Sequence, residues 1–201
     1  MCIRDSYIDQ NVLVPRPETE ILVQKVLEIF DKKKIRVLDL GTGSGAIGLS
    51  LAKERVNWEV VCSDLSYEAL KVTSKNMIRN SLDVSLVNSN WSSAFKNEYF
   101  DVIVSNPPYI NPSDPRVYSD GLKFEPKQAL ISDAEGLYDI ERIVKETSEI
   151  LNNNGYLFIE HGYDQSDLVV SIFETYGFSQ IRTFKDLNGD DRVCSGMLKR
   201  C

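Results

Sequence analysis

The sequence is poor in the residues that build metal centres. It contains a single histidine, His161, and four cysteines at Cys2, Cys62, Cys194 and Cys201. These cysteines form no CxxC pair and have no metal-ligand spacing, so we expect neither a Cys/His zinc site nor any other metal. We interpret Cys62 as a small buried strand residue and the other three as incidental thiols.

The sequence also lacks long apolar runs and an excess of positive charge. No apolar stretch approaches the length that crosses a bilayer, and the N-terminal MCIRDSYIDQ has no signal-peptide core. The net charge is −7 and the isoelectric point is about 4.9, whereas proteins that grip nucleic acid along many phosphates are usually basic. These features predict a cytoplasmic protein that binds neither a membrane nor, directly, nucleic acid.

Strand-like and helix-like segments alternate along the 201 residues, a length that fits one domain with a sizeable core. The predicted strands are Ile35–Leu40, Trp58–Asp64, Val84–Asn88, Phe100–Ser105 and Gly155–Gly162. The predicted helices are Glu20–Phe30, Ala46–Glu54, Ser66–Asn80, an amphipathic segment from Leu137 to Leu151, and Asp164–Tyr176. A long polar loop is predicted from Asn106 to about Ala134, and a closing hairpin from Phe178–Phe184 and Arg192–Lys199. This order predicts an α/β fold with a mostly parallel sheet, helices on both faces and a C-terminal antiparallel hairpin.

A glycine-rich loop follows the first predicted strand, in DLGTGSGAIGLSLA (Asp39–Ala52). Gly43, Gly45 and Gly48 match the dinucleotide fingerprint, which is a weak signal alone and leaves an NAD-dependent oxidoreductase open. In such a site the glycines approach a pyrophosphate at a helix N-terminus. The negative charge of Asp39 beside this loop favours instead a ligand with an ammonium or sulfonium group.

Polar residues also follow the second and third predicted strands. Asp64 stands where a carboxylate accepts both ribose hydroxyls, which suits NAD and S-adenosylmethionine (SAM) equally. Trp91 is placed to pack on an adenine ring, although plain core packing explains it as well. Ligands of parallel α/β sheets bind beyond the carboxyl ends of the strands, where these residues fall.

The fourth predicted strand runs into the turn Asn106, Pro107, Pro108 and Tyr109. Two prolines remove two successive backbone donors, while carbonyl oxygens and the side-chain oxygen of Asn106 remain. This rigid set of acceptors suits a planar group with two N–H bonds, a primary amide or an aromatic amine. Tyr109 offers a flat face for such a group, and positioning with fixed dipoles suffices for catalysis without a histidine base.

With these motifs the sequence resembles class I SAM-dependent methyltransferases, which have a Rossmann-like fold. More narrowly, it resembles the PrmC/HemK family of release-factor glutamine N5-methyltransferases between Val12 and Met197. The segments that carry the resemblance are VLVPRPETE, LDLGTGSGAIGLSLA, SNPPYI, FEPKQAL (Phe124–Leu130) and EHG (Glu160–Gly162). The resemblance implies SAM as cofactor and, as substrate, the glutamine of the Gly-Gly-Gln loop in class I peptide-chain release factors.

The resemblance also implies roles for individual residues. The cofactor-binding residues would be Gly41, Thr42, Gly43, Ser44, Gly45, Asp64, Trp91 and Asn106. The catalytic residues, which hold the glutamine amide, would be Asn106, Pro107, Pro108 and Tyr109.

The sequence departs from the family pattern at two places. Asn90 stands where the family usually has an acid, which is expected to weaken adenine binding without abolishing it. The family's helical N-terminal domain, which helps to dock the release factor, is expected to be missing. We therefore assign residues 1–11 to an N-terminal remnant or artefactual start and residues 12–201 to the catalytic domain.

Four further residues leave alternatives open. PRPETE has two compatible interpretations: Thr19 and its neighbour Glu18 cap the first helix, and the loop lies over the cofactor and the substrate entrance. Glu125 is interpreted as a loop staple rather than a substrate contact, and His161 as structural rather than as a base.

Besides the NAD-dependent oxidoreductase, two other functions compete with glutamine methylation. A similar turn serves methyltransferases that act on adenine N6 or guanine N2, but the acidic charge and the VPRPETE and FEPxxAL segments disfavour this. A non-catalytic SAM-binding module is the other alternative.

Overall fold

The described part of the chain folds around a central sheet of seven strands. This structure is a computed structural model, and it describes residues 6–30, 34–96, 99–115 and 125–200. The strands are β1 (Arg36–Leu40), β2 (Glu59–Asp64), β3 (Ser85–Asn88), β4 (Phe100–Ser105), β5 (Leu151–Glu160), β6 (Phe178–Lys185) and β7 (Asp191–Leu198). Their order across the sheet is β3-β2-β1-β4-β5-β7-β6. The first five strands are parallel and β7 is antiparallel to both β5 and β6, which confirms the predicted sheet and closing hairpin.

The helices cover both faces of this sheet, as predicted. They are α1 (Thr19–Ile29), α2 (Ala46–Glu54), α3 (Tyr67–Arg79), α4 (Asp133–Gly136), α5 (Tyr138–Ile150) and α6 (Ser166–Thr175). One apolar cluster joins α1 and α2 to one face of the strands, and a second joins α5 and α6 to the other. Alternation along β1 divides its side chains between them, because Val37 belongs to the first cluster and Leu38 and Leu40 to the second.

Two segments differ from the prediction. β5 begins at Leu151 rather than at Gly155, because Leu151 pairs with Phe100 before an irregularity in the ladder. The predicted polar loop after β4 is partly ordered by a parallel bridge between Ile110 and Ile131. Residues 116–124 of that loop lie outside the described residues, and they include Phe124, the first residue of the FEPKQAL segment.

The N-terminal segment lies against α3. The Tyr7 backbone N–H donates to Asn76 Oδ1 at 2.7 Å, and Asn76 Nδ2 donates back to the Tyr7 carbonyl at 2.9 Å. Residues 1–5 lie outside the described residues, so the boundary proposed after residue 11 stays a prediction. In the described ranges, no helix has the length and apolar character needed to cross a membrane.

The strand order reverses between β1 and β4. The chain moves outward from β1 to β2 and β3, and then returns to pair β4 with the opposite side of β1. Connections that leave β1 and β4 in opposite directions open a crevice at the carboxyl edge of the sheet, where α/β folds bind their ligands. The glycine-rich loop and the Asn-Pro-Pro-Tyr turn both begin at this edge.

Candidate active site

Two cavities meet at the carboxyl edge of the sheet, and Asn106 lines both of them. The inner cavity, of about 460 Å³, includes the glycine-rich loop, Asp64, Trp91 and Pro108 in its walls. The outer cavity, of about 980 Å³, includes Pro107, Tyr109 and Arg192. The side chain of Asn106 therefore stands at the junction of two binding spaces.

Most of the predicted cofactor residues come together in the wall of the inner cavity. They are Gly41, Thr42, Gly43, Ser44, Asp64, Trp91 and Asn106. Gly45 is not among the residues that line it. This glycine precedes α2 with a φ of 83°, and its N–H donates to the Thr42 carbonyl at 2.8 Å. Its contact with a cofactor stays a prediction.

Asp39 supports the loop from below. It is fully buried, and its Oδ2 accepts hydrogen bonds from Thr42 Oγ1 at 2.6 Å and from the Gly48 N–H at 2.8 Å. Burial raises its pKa to about 6. Asp39 is not among the residues that line the inner cavity, so its carboxylate acts on the loop rather than on a ligand. Gly48 is needed at this place, because a Cβ there would lie 2.4 Å from Cys62 Sγ.

Asp64 ends β2 and faces the inner cavity. Its two oxygens accept from the backbone N–H groups of Gly43, at 2.9 Å, and Ser66, at 2.8 Å. Burial raises its pKa, while these two bonds act in the opposite direction. Each carboxylate oxygen has a second lone pair, so the side chain still has room to accept ligand hydroxyls.

Trp91 forms one wall of the inner cavity and is fixed by a residue that the sequence analysis did not identify. Its Nε1 donates to Asp139 Oδ1 at 3.2 Å, and Ser132 Oγ donates to the other oxygen of Asp139 at 2.8 Å. A Cβ at Gly41 would lie 3.1 Å from the indole ring, so glycine lets the loop approach the tryptophan. Asn90 is exposed and also lines the cavity, and its nearness to an adenine stays a prediction.

The Asn-Pro-Pro-Tyr turn is held from several sides. Gln165 Nε2 donates to the Tyr109 carbonyl at 3.1 Å, and Asn106 Nδ2 donates to Thr19 Oγ1 at 3.2 Å. Among the hydrogen bonds of the described residues, none ends on the carbonyl of Pro107 or Pro108. These oxygens and Asn106 Oδ1 are the acceptors that the turn offers.

The structure corrects the interpretation of Thr19 and Glu18 as side-chain caps of α1. Neither side chain bonds to the first turn, whose N–H groups reach the backbone carbonyls of Arg16, Pro17 and Glu18 instead. The Thr19 hydroxyl donates to Glu160 Oε2 at 2.8 Å. The alternative position, over the binding space, agrees with the structure because Thr19 lines the inner cavity.

The sequence analysis gave no individual role to Glu160, which lines neither cavity but bonds to two residues that do. It is 1% exposed at the end of β5, and burial raises its pKa to about 7. Tyr109 donates its hydroxyl to Glu160 Oε1 at 3.3 Å. The sequence did contain a signal, because Glu160 directly follows the apolar residues LFI of a predicted strand. The neighbouring strand in the sheet leads into the Asn-Pro-Pro-Tyr turn.

Glu125 and His161 have structural contacts, as interpreted. Glu125 forms an ion pair with Arg16 and accepts from the Val14 N–H at 3.3 Å, so it staples the segment before α1. His161 is fully buried, its Nδ1 lies 2.8 Å from the Gly162 carbonyl, and burial lowers its pKa. It is not among the residues that line either cavity.

The inner cavity fits SAM better than a dinucleotide. Among the described residues that line it, Arg142 is the only cation, and it pairs with Glu146 at 2.7 Å. A pyrophosphate in this cavity would therefore have only backbone N–H groups, and no free side-chain cation of the described residues, to balance its charge. The Asp64 carboxylate and a flat indole suit a positively charged sulfonium nucleoside.

Comparisons with known proteins agree with the fold. The family described as Methyltransferase small domain matches residues 17–120. The release factor glutamine methyltransferase of Buchnera aphidicola subsp. Schizaphis graminum is 44% identical over 193 residues, which cover 96% of this chain and 70% of that protein.

Two solved structures are similar over nearly the whole chain. A methyltransferase from Pyrococcus furiosus has a TM-score of 0.72 at 19% identity, covering 98% of this chain and 89% of its own, and supports the fold alone. The release factor-specific protein-(glutamine-N5) methyltransferase from Alicyclobacillus acidocaldarius has a TM-score of 0.54 at 27% identity, covering 96% of this chain and 99% of its own. By its fold, its motifs and its identity to the curated relatives, this chain belongs to the release factor glutamine methyltransferases.

Proposed function

We propose that this protein transfers a methyl group from SAM to the side-chain amide nitrogen, N5, of the glutamine in the Gly-Gly-Gln motif of class I peptide-chain release factors. The observation that carries the proposal is the position of Asn106, which lines the inner and the outer cavity together. A residue at this junction can contact a cofactor on one side and a substrate amide on the other.

The inner cavity is the proposed SAM site. Bound SAM supplies an electrophilic methyl group on a positively charged sulfonium. Asp64 would accept the ribose hydroxyls, and Trp91 would pack beside the adenine. Gly41 and Gly43 have φ values of 70° and 57°, and this left-handed backbone lets the loop lie close to the ligand.

The acceptors of the turn are proposed to hold the substrate amide. Asn106 Oδ1 and the Pro107 carbonyl would each accept one of its two N–H bonds. Hydrogen bonds to fixed acceptors push electron density toward a nitrogen that is otherwise a weak nucleophile, and they aim its lone pair. In the transfer, the N–CH3 bond would form as the S–CH3 bond of the sulfonium breaks, S-adenosylhomocysteine would leave as a neutral thioether, and the displaced N–H proton would go to solvent.

The outer cavity is the proposed entrance for the protein substrate. Tyr163 and Leu168 line it and remain 48% and 50% exposed, which leaves apolar surface for a peptide segment. Among the described residues that line it, the arginines are Arg16 and Arg192, which pair with Glu125 and Asp186. Paired arginines argue against a strand of nucleic acid in this cavity, because phosphate binding uses available cations. A release factor as partner also implies a cytoplasmic location.

Competition between substrates tests the proposal. The protein is incubated with isotope-labelled SAM, a release factor and nucleic acid in one mixture. We expect label in the release factor and none in the nucleic acid. Label that appears only in the nucleic acid would overturn the proposal, and so would SAM binding with no transfer to any release factor.

A further inference from the structure

Two hydrogen bonds link Asn106 to Thr19 and Thr19 to Glu160, and in both the donor lies on the Asn106 side. A hydroxyl has a single proton. Thr19 gives this proton to Glu160 Oε2, 2.8 Å away, so its oxygen can only accept from the asparagine. The group of Asn106 that faces Thr19, at 3.2 Å, is therefore the nitrogen Nδ2, and Oδ1 is left as an acceptor.

The same carboxylate reaches the other end of the turn. Glu160 Oε1 accepts from the Tyr109 hydroxyl at 3.3 Å, so the first and last residues of Asn-Pro-Pro-Tyr are tied to one side chain. The sheet itself brings them together. The pairing of Ser105 with Ile159 in neighbouring strands places Asn106 beside Glu160.

Burial makes this arrangement stiff. Glu160 is 1% exposed and Thr19 is 3% exposed, so water scarcely competes for these bonds. Hydrogen bonds to a charged acceptor are stronger in such surroundings than in solvent. An ionised carboxylate accepts but does not donate, so it fixes the direction of the whole chain of bonds.

We propose that Glu160, acting through the Thr19 hydroxyl, is a positioning residue that keeps the Asn106 side-chain oxygen directed at the substrate amide. It touches neither of the two reacting groups itself. The inference rests on the proposed function, since methyl transfer is one of its readouts.

The proposal has a consequence for pH dependence. The groups that face Glu160 are Thr19 and Glu18 at the start of α1, Tyr109 in the turn and Arg192 in β7. A carboxyl that is protonated on Oε2 donates to the Thr19 oxygen, so the Thr19 hydroxyl is freed to donate to Asn106, and the amide is no longer held in one orientation. Since burial raises the pKa of Glu160 to about 7, the fixed orientation of the Asn106 side-chain amide should be lost as the pH falls through about 7.

Steady-state kinetics of Thr19 variants with a release factor form the first test. Thr19→Val keeps the shape but removes the hydroxyl, and we expect kcat to fall about tenfold, as loss of one hydrogen bond to a charged group implies. The KM for SAM should stay near its wild-type value, and Thr19→Ser should restore most of kcat. The matched control is Thr147→Val, since the Thr147 hydroxyl is fully buried and donates to the Ile143 carbonyl in α5, away from both cavities. It should leave kcat unchanged.

The pH profile and a direct view of Asn106 form the second test. In the wild type, kcat should rise as the pH increases through about 7. In Glu160→Gln this rise in kcat should be absent. The side-chain amide signals of Asn106, assigned in NMR spectra by their loss in Asn106→Ala, should shift over the same pH range. In Thr19→Val they should not shift.

Three results would overturn the inference: wild-type kcat in Thr19→Val, an unchanged pH profile in Glu160→Gln, or Asn106 signals that do not respond to pH in the wild type. The NMR measurement needs neither SAM nor a release factor. If the wild type transfers no methyl group to a release factor, the proposed function fails, and the NMR titration still decides the inference.

Discussion

At the scale of single residues, Asn106 is the polar residue that lines both cavities, beside Leu13 and Ala129. Asn106→Ala should lower kcat on the order of 10²- to 10³-fold, as removal of one preorganised polar group from an active site does. SAM affinity should change far less, because the contacts proposed for Asp64 and the glycine loop would remain. Turnover with a release factor gives kcat, and titration calorimetry gives the SAM affinity.

A second asparagine provides the control for that prediction. Asn152 donates to Asp101 Oδ1 at 2.8 Å near the start of β5, at the opposite end of the strand from Glu160. Asn152→Ala should leave kcat unchanged. Near-normal turnover in Asn106→Ala would remove the central role given to this residue.

Some residue roles were readable in the sequence and others were not. Asp64, Trp91 and Asn106 follow predicted strands, and strand ends of a parallel sheet share an edge, so their meeting was predictable. The contact of Thr19 with Glu160 was not, because 141 residues separate them and a threonine before a helix normally indicates a cap. The sequence analysis predicted Asp39 near the ligand. In the structure, the side chains of β1 alternate between the two faces of the sheet, and that of Asp39 lies under α2, where it accepts from the Gly48 N–H.

At the scale of elements, the turn between β1 and α2 depends on glycine. Gly45 has a φ of 83°, and a Cβ there would lie 2.7 Å from Leu49 Cδ1 and 2.9 Å from Thr73 Cγ2. Gly177 has nearly the same φ, 84°, but nothing lies within 4 Å of the place where its Cβ would be. The two positions therefore separate the cost of the backbone conformation from the cost of crowding.

Alanine at each glycine tests this difference. Gly177→Ala should cost only the left-handed conformation, roughly 1–2 kcal/mol. Gly45→Ala should lower the free energy of unfolding by a further 1–3 kcal/mol, roughly the cost of overpacking, and should weaken SAM binding. Urea denaturation and SAM titration of both variants measure these effects. Equal destabilisation would show that Leu49 and Thr73 move aside without cost.

The elements themselves were largely predictable, because strand and helix periodicity is a local property of the sequence. The position of β7 between β5 and β6 was not predictable, because the sequence pattern of a hairpin does not determine which of its two strands pairs with the rest of the sheet. The bridge between Ile110 and Ile131 was missed for a similar reason. It pairs two short segments of a loop that has no periodicity of its own.

At the scale of the whole molecule, two buried carboxyls link folding to pH. Burial raises the pKa of Asp39 from 3.8 to about 6 and that of Glu160 from 4.5 to about 7. Both groups bind protons more tightly in the folded chain, so their stabilising contribution is present below pH 4 to 4.5 and is lost as the pH rises through about 6 and 7.

Glu160→Gln isolates one of these contributions. Relative to this variant, the wild type should lose on the order of 3 kcal/mol of unfolding free energy as the pH rises from about 4.5 to about 7.5. Urea denaturation of both proteins at a series of pH values measures the difference. A difference that stays constant over the range would mean that Glu160 does not titrate with a raised pKa.

The most direct test of the whole account is the mass of the substrate peptide. A release factor is incubated with the protein and SAM, digested, and its Gly-Gly-Gln peptide is analysed by fragmentation mass spectrometry. The account predicts a gain of one methyl group located on the glutamine side chain. A peptide of unchanged mass, or a methyl group on any other residue, would contradict it.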